Sequence, residues 1–577
     1  MAVENLITEH LDIWTSAIKT KSAAGRGSSK KLELVGVKKL RELILELAVR
    51  GKLVPQDPND EPASELLKKI AEEKAKLVLE GKIKKQKPLP QIDVEDKPFQ
   101  KPVGWSFTRL GELFLSINSG GTPSKRNSEY WEGSLPWASV KDLGTQRCIE
   151  ETQDHITDEG LKNGSRLANI DDILICTRMG LGKISIVKSP MAYNQDLKAV
   201  KLTNNVSVEH FINTYATLKI KGTGTTVMGI KQEQLLEYII GLPPFEEQHR
   251  IVAKVDELMV LCDQLEAQTE SSIDAHKTLV EVLLATLTDA KNTDELNENW
   301  QTLSQHFDVL FTTQASIDQL KQTILQLAVM GKLVKQDPKD EPVSKLLERI
   351  ATEKQQLIKD KKIKKQKPLP PITDEEKPFG LPVGWEWAKL GNALNKITDG
   401  THHSPINGES GEYLYISAKN IKNNGVQLSN ATYVTKEMHD EIYSRCDPEY
   451  GDILYIKDGA TTGIVTINDI DEPFSMLSSV ALLKCPAGIL NRYLLLSLRS
   501  PFFYKEMRAG MSGVAITRVT LKKLNAACFP LPSLTEQHRI VAKVDELMAL
   551  CEQLKVRLRD AQTTQLQLTE AIVEQAL

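Results

Sequence analysis

The 577-residue chain is short of several things that would point to an extracellular, membrane or stand-alone DNA-binding protein. Its seven cysteines, Cys148, Cys176, Cys262, Cys446, Cys485, Cys528 and Cys551, are scattered and form no C-x-x-C pair. An odd number at such spacings excludes a disulfide framework and offers no zinc module. No apolar run approaches the ~20 residues that a membrane span requires. The opening MAVENLITEHLDIW carries acidic residues where a secretory signal is basic. A cytoplasmic setting without a membrane partner is expected. Surplus positive charge is also missing: the net charge of −4 lacks the footprint of an autonomous nucleic-acid binder. Local basic patches, or a basic partner subunit, could still supply phosphate contacts.

Catalytic signatures are missing as well. An amine methyltransferase needs Asn or Asp before Pro-Pro-aromatic, and LPPF at Leu242 to Phe245 puts a leucine there. Gly182-Lys183 is followed by Ile184 and lacks the upstream glycine of a phosphate-cradling loop. Asp93, Glu95 and Lys97 resemble nuclease acids only loosely, because a proline-rich connector has no strand to hold two carboxylates on a metal. His402-His403 has no third ligand in sight. The basic stretch KIKKQKPLP, at 82–90 and 362–370, reads first as a solvated connector and second as a phosphate contact. No metal, cofactor or enzymatic activity is expected in this chain.

What the chain does have is a repeat. Residues 43–90 align without gaps on 323–370 and are identical at 32 of 48 positions, an offset of 280 that persists through PVGW (Pro102 to Trp105, Pro382 to Trp385) and DIL (Asp172 to Leu174, Asp452 to Leu454). EQHRIVAKVDELM then recurs letter for letter at Glu247 to Met259 and Glu536 to Met548, an offset of 289. Each unit has a helical lead-in, a middle of mixed character and a long helix. The outer parts match and the middles mostly do not, which describes a duplicated scaffold carrying two different inserts.

The lead-in reads as two helices. The first runs to Arg50 with Gly51 at C′, a pattern repeated at Gly331, and the second opens at Glu61-Pro62 with proline in the first helical position. The long helix from Glu246 to about Leu287 carries Ile251, Val255, Leu258, Cys262 and Leu265 at heptad spacing; Ile540, Val544, Leu547, Cys551 and Leu554 repeat it. A stripe of this length needs a partner, either its own domain or the other copy, and pairing of the copies as an antiparallel coiled coil is the expectation. In the middles, DDILICT, RMGLG and KISIV read as a hairpin with alternating burial, matched by GDILYI and GATTGIVTI. Helices are expected near Val208 to Leu218 and Asn491 to Met507. The fold class is α+β with an internal pseudo-twofold repeat.

The segments KPVGWSFTRLGELFLSINSGGTPS, YWEGSLPWASVKDL, LPVGWEWAKLGNALNKITDGTHHSP and the twice-used P-x-x-EQHRIV resemble the specificity subunits of type I restriction-modification systems. The resemblance implies a lead-in at 1–98, a target recognition domain at 99–243, a central helix with the second lead-in at 244–378, a second recognition domain at 379–531 and a terminal helix at 532–577. It implies a non-catalytic reader of double-stranded DNA that takes one half of a split site with each recognition domain. The implied partners are two methyltransferase subunits and restriction subunits, which would hold S-adenosylmethionine, ATP and Mg. Polar residues on the loops of the middles are the candidates for base contacts, Arg and Lys suiting guanine and Asn and Gln adenine. The candidates are Thr122, Ser124, Lys125, Arg126, Lys141, Arg178, Lys183, Asn194 and Gln195 in the first domain. In the second they are Thr401, His402, His403, Lys419, Asn420, Lys457, Asp458, Thr461 and Arg518. Trp105, Trp385 and Leu110 read as core. The competing class is a duplicated coiled-coil adaptor that never meets DNA, for which the near-neutral charge speaks.

Overall fold

The computed structural model describes residues 3–21, 31–144, 146–223, 228–291, 293–509 and 518–577. They fall into two compact units, one drawn from 1–272 and 561–577, the other from 273–560.

In the first unit, helix α1 (Val35–Val49) stops where Gly51 takes φ +66°, the left-handed C′ conformation that glycine adopts without steric penalty. Helix α2 (Ala63–Leu79) begins one residue later than the sequence suggests. Pro62 is its N-cap with ψ 144°, because the Ala63 N–H is drawn outward to the Gly104 carbonyl at 2.8 Å. The strands that follow are β1 (Ser106–Arg109), β2 (Phe114–Ser119), β3 (Trp131–Ala138), β4 (Cys148–Ile149), β5 (Asp154–Ile156), β6 (Leu167–Ala168), β7 (Ile173–Cys176), β8 (Ile184–Val187), β9 (Met191–Tyr193) and β10 (Leu197–Leu202). Helix α3 (Val208–Thr217), strand β11 (Ile239–Leu242) and the long helix α4 (Phe245–Asp289) complete the order. One sheet runs β2-β10-β7-β8-β4, a second β5-β3-β9-β6, and β1 pairs with β11.

The β7–β8 hairpin forms as expected, but its burial does not alternate between core and water: all eight residues are buried. Ile173, Ile175, Ile184 and Ile186 face a core shared with Leu66 and Ile70 of α2 and Phe211 of α3, while Leu174, Cys176 and Val187 face a second core with Met191 and Leu197. The sheet is covered on both sides, so the alternation is between two interiors. The lead-in helix is thus part of the core of the domain that follows it.

The second unit repeats the plan. After α5 (Gln314–Val329) and α6 (Val343–Lys359) come β12 (Glu386–Lys389), β13 (Lys396–Asp399), β14 (Tyr413–Ile416), β15 (Thr432–Val434), α7 (Lys436–Arg445), β16 (Ile453–Ile456), β17 (Val465–Ile467), β18 (Ser475–Met476) and β19 (Val480–Lys484). The expected helix near 491–507 is two helices, α8 (Asn491–Arg499) and α9 (Pro501–Arg508). The break falls at Ser500, whose hydroxyl accepts from the Phe503 N–H and starts a new helix with proline at its first position. Strand β20 (Cys528–Leu531) and the long helix α10 (Leu534–Ala576) follow. The larger sheets are β13-β19-β16-β17 and β15-β14-β18, which keep the first unit's neighbour relations without counterparts of β4 and β6; β12 pairs with β20, and Ile421–Lys422 pairs with Gly425–Val426. Leu346 and Ile350 of α6 fill the core that Leu66 and Ile70 fill there.

Of the heptad residues in the first unit, Ile251, Val255, Leu258 and Cys262 are buried and Leu265 half-buried. Beside them Arg41 of α1 makes two 2.6 Å ion pairs, to Asp263 and Glu266. In the second unit Ile540, Val544 and Cys551 of α10 share a core with Ile317, Leu320 and Ile324 of α5 and with Val280, Leu284 and Leu287 of α4; Leu547 and Leu554 line its edge. The stripe therefore packs on a lead-in helix as well as on a long one. Lys332 Nζ donates to the Thr288 and Ala290 carbonyls at 2.6 and 2.9 Å. In the first unit Lys52 Nζ donates in the same way to the oxygens of Ala576 and Leu577, at 3.3 and 2.7 Å.

Candidate nucleic-acid interface

The repeated EQHR words form a clasp in each unit. Glu247 is fully buried and accepts from Trp105 Nε1 at 3.0 Å and Gln56 Nε2 at 3.2 Å; Glu536 does the same with Trp385 at 3.0 Å and Gln336 at 3.3 Å. Burial pushes both carboxyls above the ordinary glutamate range, partly offset by those donors. Arg250 grips Asp60 with contacts of 3.3 and 2.5 Å, and Arg539 grips Asp340 with 3.2 and 2.5 Å. Gln248 Oε1 accepts from the Ser207 N–H at 2.9 Å, and Gln537 Oε1 from the Leu490 N–H at 2.8 Å. The thirteen-residue identity is explained: one word ties lead-in, domain entrance and insert to the start of a long helix, and the task is the same twice.

Antiparallel pairing brings part of the candidate set together at one end of each main sheet. In the first unit Lys198 of β10 sits opposite Ser119, and Leu197 opposite Cys176. The residues after β2, after β7 and before β10 therefore converge. Thr122 donates to the Gln195 side chain, and Asn194 Oδ1 accepts from the Asp196 N–H at 3.1 Å. Arg178, half-exposed, lies 3.8 Å from Asp196. Lys198 Nζ donates to the Ser119 hydroxyl. Ser124, Lys125 and Arg126 are exposed on the turn before β3. Lys141 pairs with Asp154 at 3.0 Å, and Lys183 Nζ donates to the Val140 carbonyl at 2.8 Å.

In the second unit Asp399 stands opposite Ala481 of β19, and Ile456 opposite Val480. The convergence is the same and the chemistry is not. Asp399, 1% exposed, accepts from Arg445 Nη2 at 2.6 Å and lies 3.3 Å from both His402 Nε2 and Lys457 Nζ. Lys457 also lies 3.3 Å from Asp458, whose other oxygen accepts from Arg518 Nε at 3.0 Å. A run of alternating charge thus joins α7, the ends of β13 and β16, and residue 518. Thr401 is buried and donates to the His403 carbonyl, and Asn420 is buried, tying its own loop to Ser417 and Gln427. His403, Lys419 and Thr461 are exposed. With the Arg445 guanidinium 2.9 Å from its Nε2, His402 belongs to this ion network.

Five residues here escaped the sequence reading: Ser119, Asp196, Lys198, Asp399 and Arg445. Asp399 could have been found, since it stands two residues before Thr401 at a strand end. Arg445 could not, because it closes a helix 46 residues further on and reaches the site only through the tertiary fold.

The family description "Type I restriction modification DNA specificity domain" matches residues 102–275 and again 382–560. The type I restriction enzyme EcoAI specificity subunit of Escherichia coli is 43% identical over 610 aligned residues, with all of both chains covered. The EcoEI specificity subunit of the same organism is 40% identical over 628, again covering all of both. Among solved structures, a chain from a type I R-M system is 18% identical with a TM-score of 0.46, covering 83% of this chain and 99% of that one. Two copies of the domain, and agreement with two relatives along their whole length, establish that the chain belongs to the specificity subunits of type I restriction enzymes.

Proposed function

We propose that each unit reads one half of a split, asymmetric site in duplex DNA, and that the chain presents this site to two methyltransferase subunits and to restriction subunits. Those partners hold the catalytic groups, with S-adenosylmethionine, ATP and Mg. The observation that carries this reading is the pair of like-built sheet edges, one ending in Ser119, Arg178 and Gln195, the other in Asp399, Lys457 and Arg518. One frame with two sets of polar side chains suits one task on two base sequences. A pairing of α4 and α10 as an antiparallel spacer completes the reading. It is supported by the buried heptad residues Ile251, Val255, Ile540 and Val544 and by the core that Val280 and Leu284 share with Cys551. A spacer of this kind sets half-sites about one DNA turn, ~34 Å, apart.

The test uses the full chain with its methyltransferase partner. Mapping methylated adenines should return one interrupted sequence, and retention of that sequence over a scrambled competitor should weaken steeply with salt. Protein association that ignores salt and sequence would instead favour an adaptor. Lengthening both long helices by a heptad should widen the gap and leave the half-site letters unchanged.

A further inference from the structure

Among the described residues four non-glycines have positive φ: Glu132, Asp171, Met179 and Lys361. The repeat supplies an internal control for three of them, because the matching residue in the other unit is a glycine with positive φ. Asp171 at +66° matches Gly451 at +89°, Lys361 at +58° matches Gly81 at +69°, and Met179 at +60° matches Gly459 at +92°. Aspartate is among the residues that accept this conformation most readily, and an exposed lysine just past a helix end is a mild case. Methionine gains nothing from it.

Met179 is the third residue after β7, as Gly459 is the third after β16. Its side chain is 70% exposed, in the loop that also presents Arg178. The loop is pinned. The Met179 N–H donates to the Met228 carbonyl at 3.0 Å, Arg178 bridges to Gly229, and a Cβ on Gly180 would come within 2.7 Å of Val140 Cγ1. The long apolar side chain therefore cannot be withdrawn by a small backbone shift. Around Gly459 nothing lies within 4 Å of where a Cβ would sit, so the second unit leaves the same place empty. The first unit thus carries both an unfavourable backbone conformation and an exposed apolar group, where its twin has neither. Backbone strain of this kind, beside polar candidates and without a counterpart in the twin, points to a functional contact.

We infer that Met179 is a specificity-determining residue for the half-site read by the first domain, meeting an apolar base surface. That surface is either the C5-methyl of a thymine or the face of an unstacked base. The inference rests on the reading of this chain as a DNA specificity subunit. DNA is favoured over a protein partner by the asymmetry. A subunit that both units engage alike would select the same residue twice, as the EQHR words are selected, whereas the two half-sites differ.

Four variants of the full chain, M179G, M179A, M179L and G459M, are purified with the methyltransferase partner and compared by methylation mapping and thermal unfolding. M179G should unfold at or above the wild-type temperature, while modification falls at least fivefold or base preference relaxes at one position of a single half-site. M179A should lose reading in the same way without the gain in stability, M179L should keep reading, and G459M should leave the first half-site untouched. If thymine is the contact, replacing that thymine by uracil weakens the wild type and leaves M179G unchanged. If a base is unstacked, 2-aminopurine at that step brightens on binding the wild type and not M179G. Unchanged preference and rate at every position in M179G, or weakened assembly with the methyltransferase at unchanged preference, overturns the inference and leaves the DNA reading standing. A wild-type complex that modifies no split sequence overturns both.

Discussion

Ser119 and Asp399 occupy the same place, the last residue of the same edge strand, and they set up opposite electrostatics. At Ser119 the neighbours are a lysine on a hydroxyl and a loose 3.8 Å pair between Arg178 and Asp196, with Lys125 and Arg126 in solvent. At Asp399 a buried carboxylate holds Arg445, His402 and Lys457. Under the proposed reading the second cluster, fixed by its own ion pairs, would lose less side-chain freedom on meeting DNA than the first. The frame fixes where side chains converge, and single residues at strand ends decide how charged that point is.

The largest expected effect tests this contrast directly. Asp399→Ala leaves Lys457, 3% exposed, with only its 3.3 Å pair to Asp458 and takes the carboxylate from Arg445, and should cost about 3 kcal/mol, the low end for a broken buried pair. Ser119→Ala at the matching place should cost less than about 1 kcal/mol, both read by urea unfolding. Equal losses would erase the distinction. The clasp should behave oppositely, with no difference between units. Glu247→Ala and Glu536→Ala each orphan a buried tryptophan N–H, while Gln56 and Gln336 keep their bonds to the Gly51 and Gly331 carbonyls, and each should cost about 1–3 kcal/mol.

Acid–base behaviour sharpens the comparison further. Because Glu247 and Glu536 have raised folded-state pKa values, the native state keeps their protons to higher pH than the unfolded chain does. Their contribution is fullest at low pH and declines as pH rises from the ordinary glutamate range through the raised value. Glutamine at both positions should flatten that slope in melting curves. Asp340 runs the other way: hydrogen bonding from Arg539 holds its carboxyl low, so its stabilisation is present above the ordinary aspartate range and lost as pH falls through the folded value. Asp340→Asn should therefore be destabilising at neutral pH and indistinguishable from wild type in strong acid. The smallest effect belongs to Lys361→Gly, which relieves a left-handed lysine and should stabilise by about 0.5–1 kcal/mol, while Gly81→Lys should do the reverse.

The repeat, the helix ends and the long stripes were legible because each leaves a local, periodic mark: Gly51 and Gly331 stop helices, and Ile251 or Ile540 recurs at heptad spacing. The burial of the β7–β8 hairpin was legible and misread: Ile173, Leu174, Ile175 and Cys176 form an unbroken apolar run, the mark of a strand covered on both faces rather than of one that alternates. The ion network was half legible. His402, Lys457, Asp458 and Arg518 stand out as polar residues on loops, but Arg445 joins them only once α7 has packed. Pro62 was misplaced by one residue because the Gly104 carbonyl, which accepts from the Ala63 N–H, lies far along the chain.

The two glutamines of the clasp carry a consequence for how such a protein diversifies. Gln248 and Gln537 grasp the inserts at the main-chain N–H groups of Ser207 and Leu490, and Lys74 and Lys354 hold the carbonyls of Gly111 and Gly391. Every residue but proline offers such an N–H, and every residue offers the carbonyl, whatever its side chain. An insert that keeps the apolar residues meeting Leu66 and Ile70, or Leu346 and Ile350, can therefore change its loop lettering by mutation or recombination, and the socket will still close.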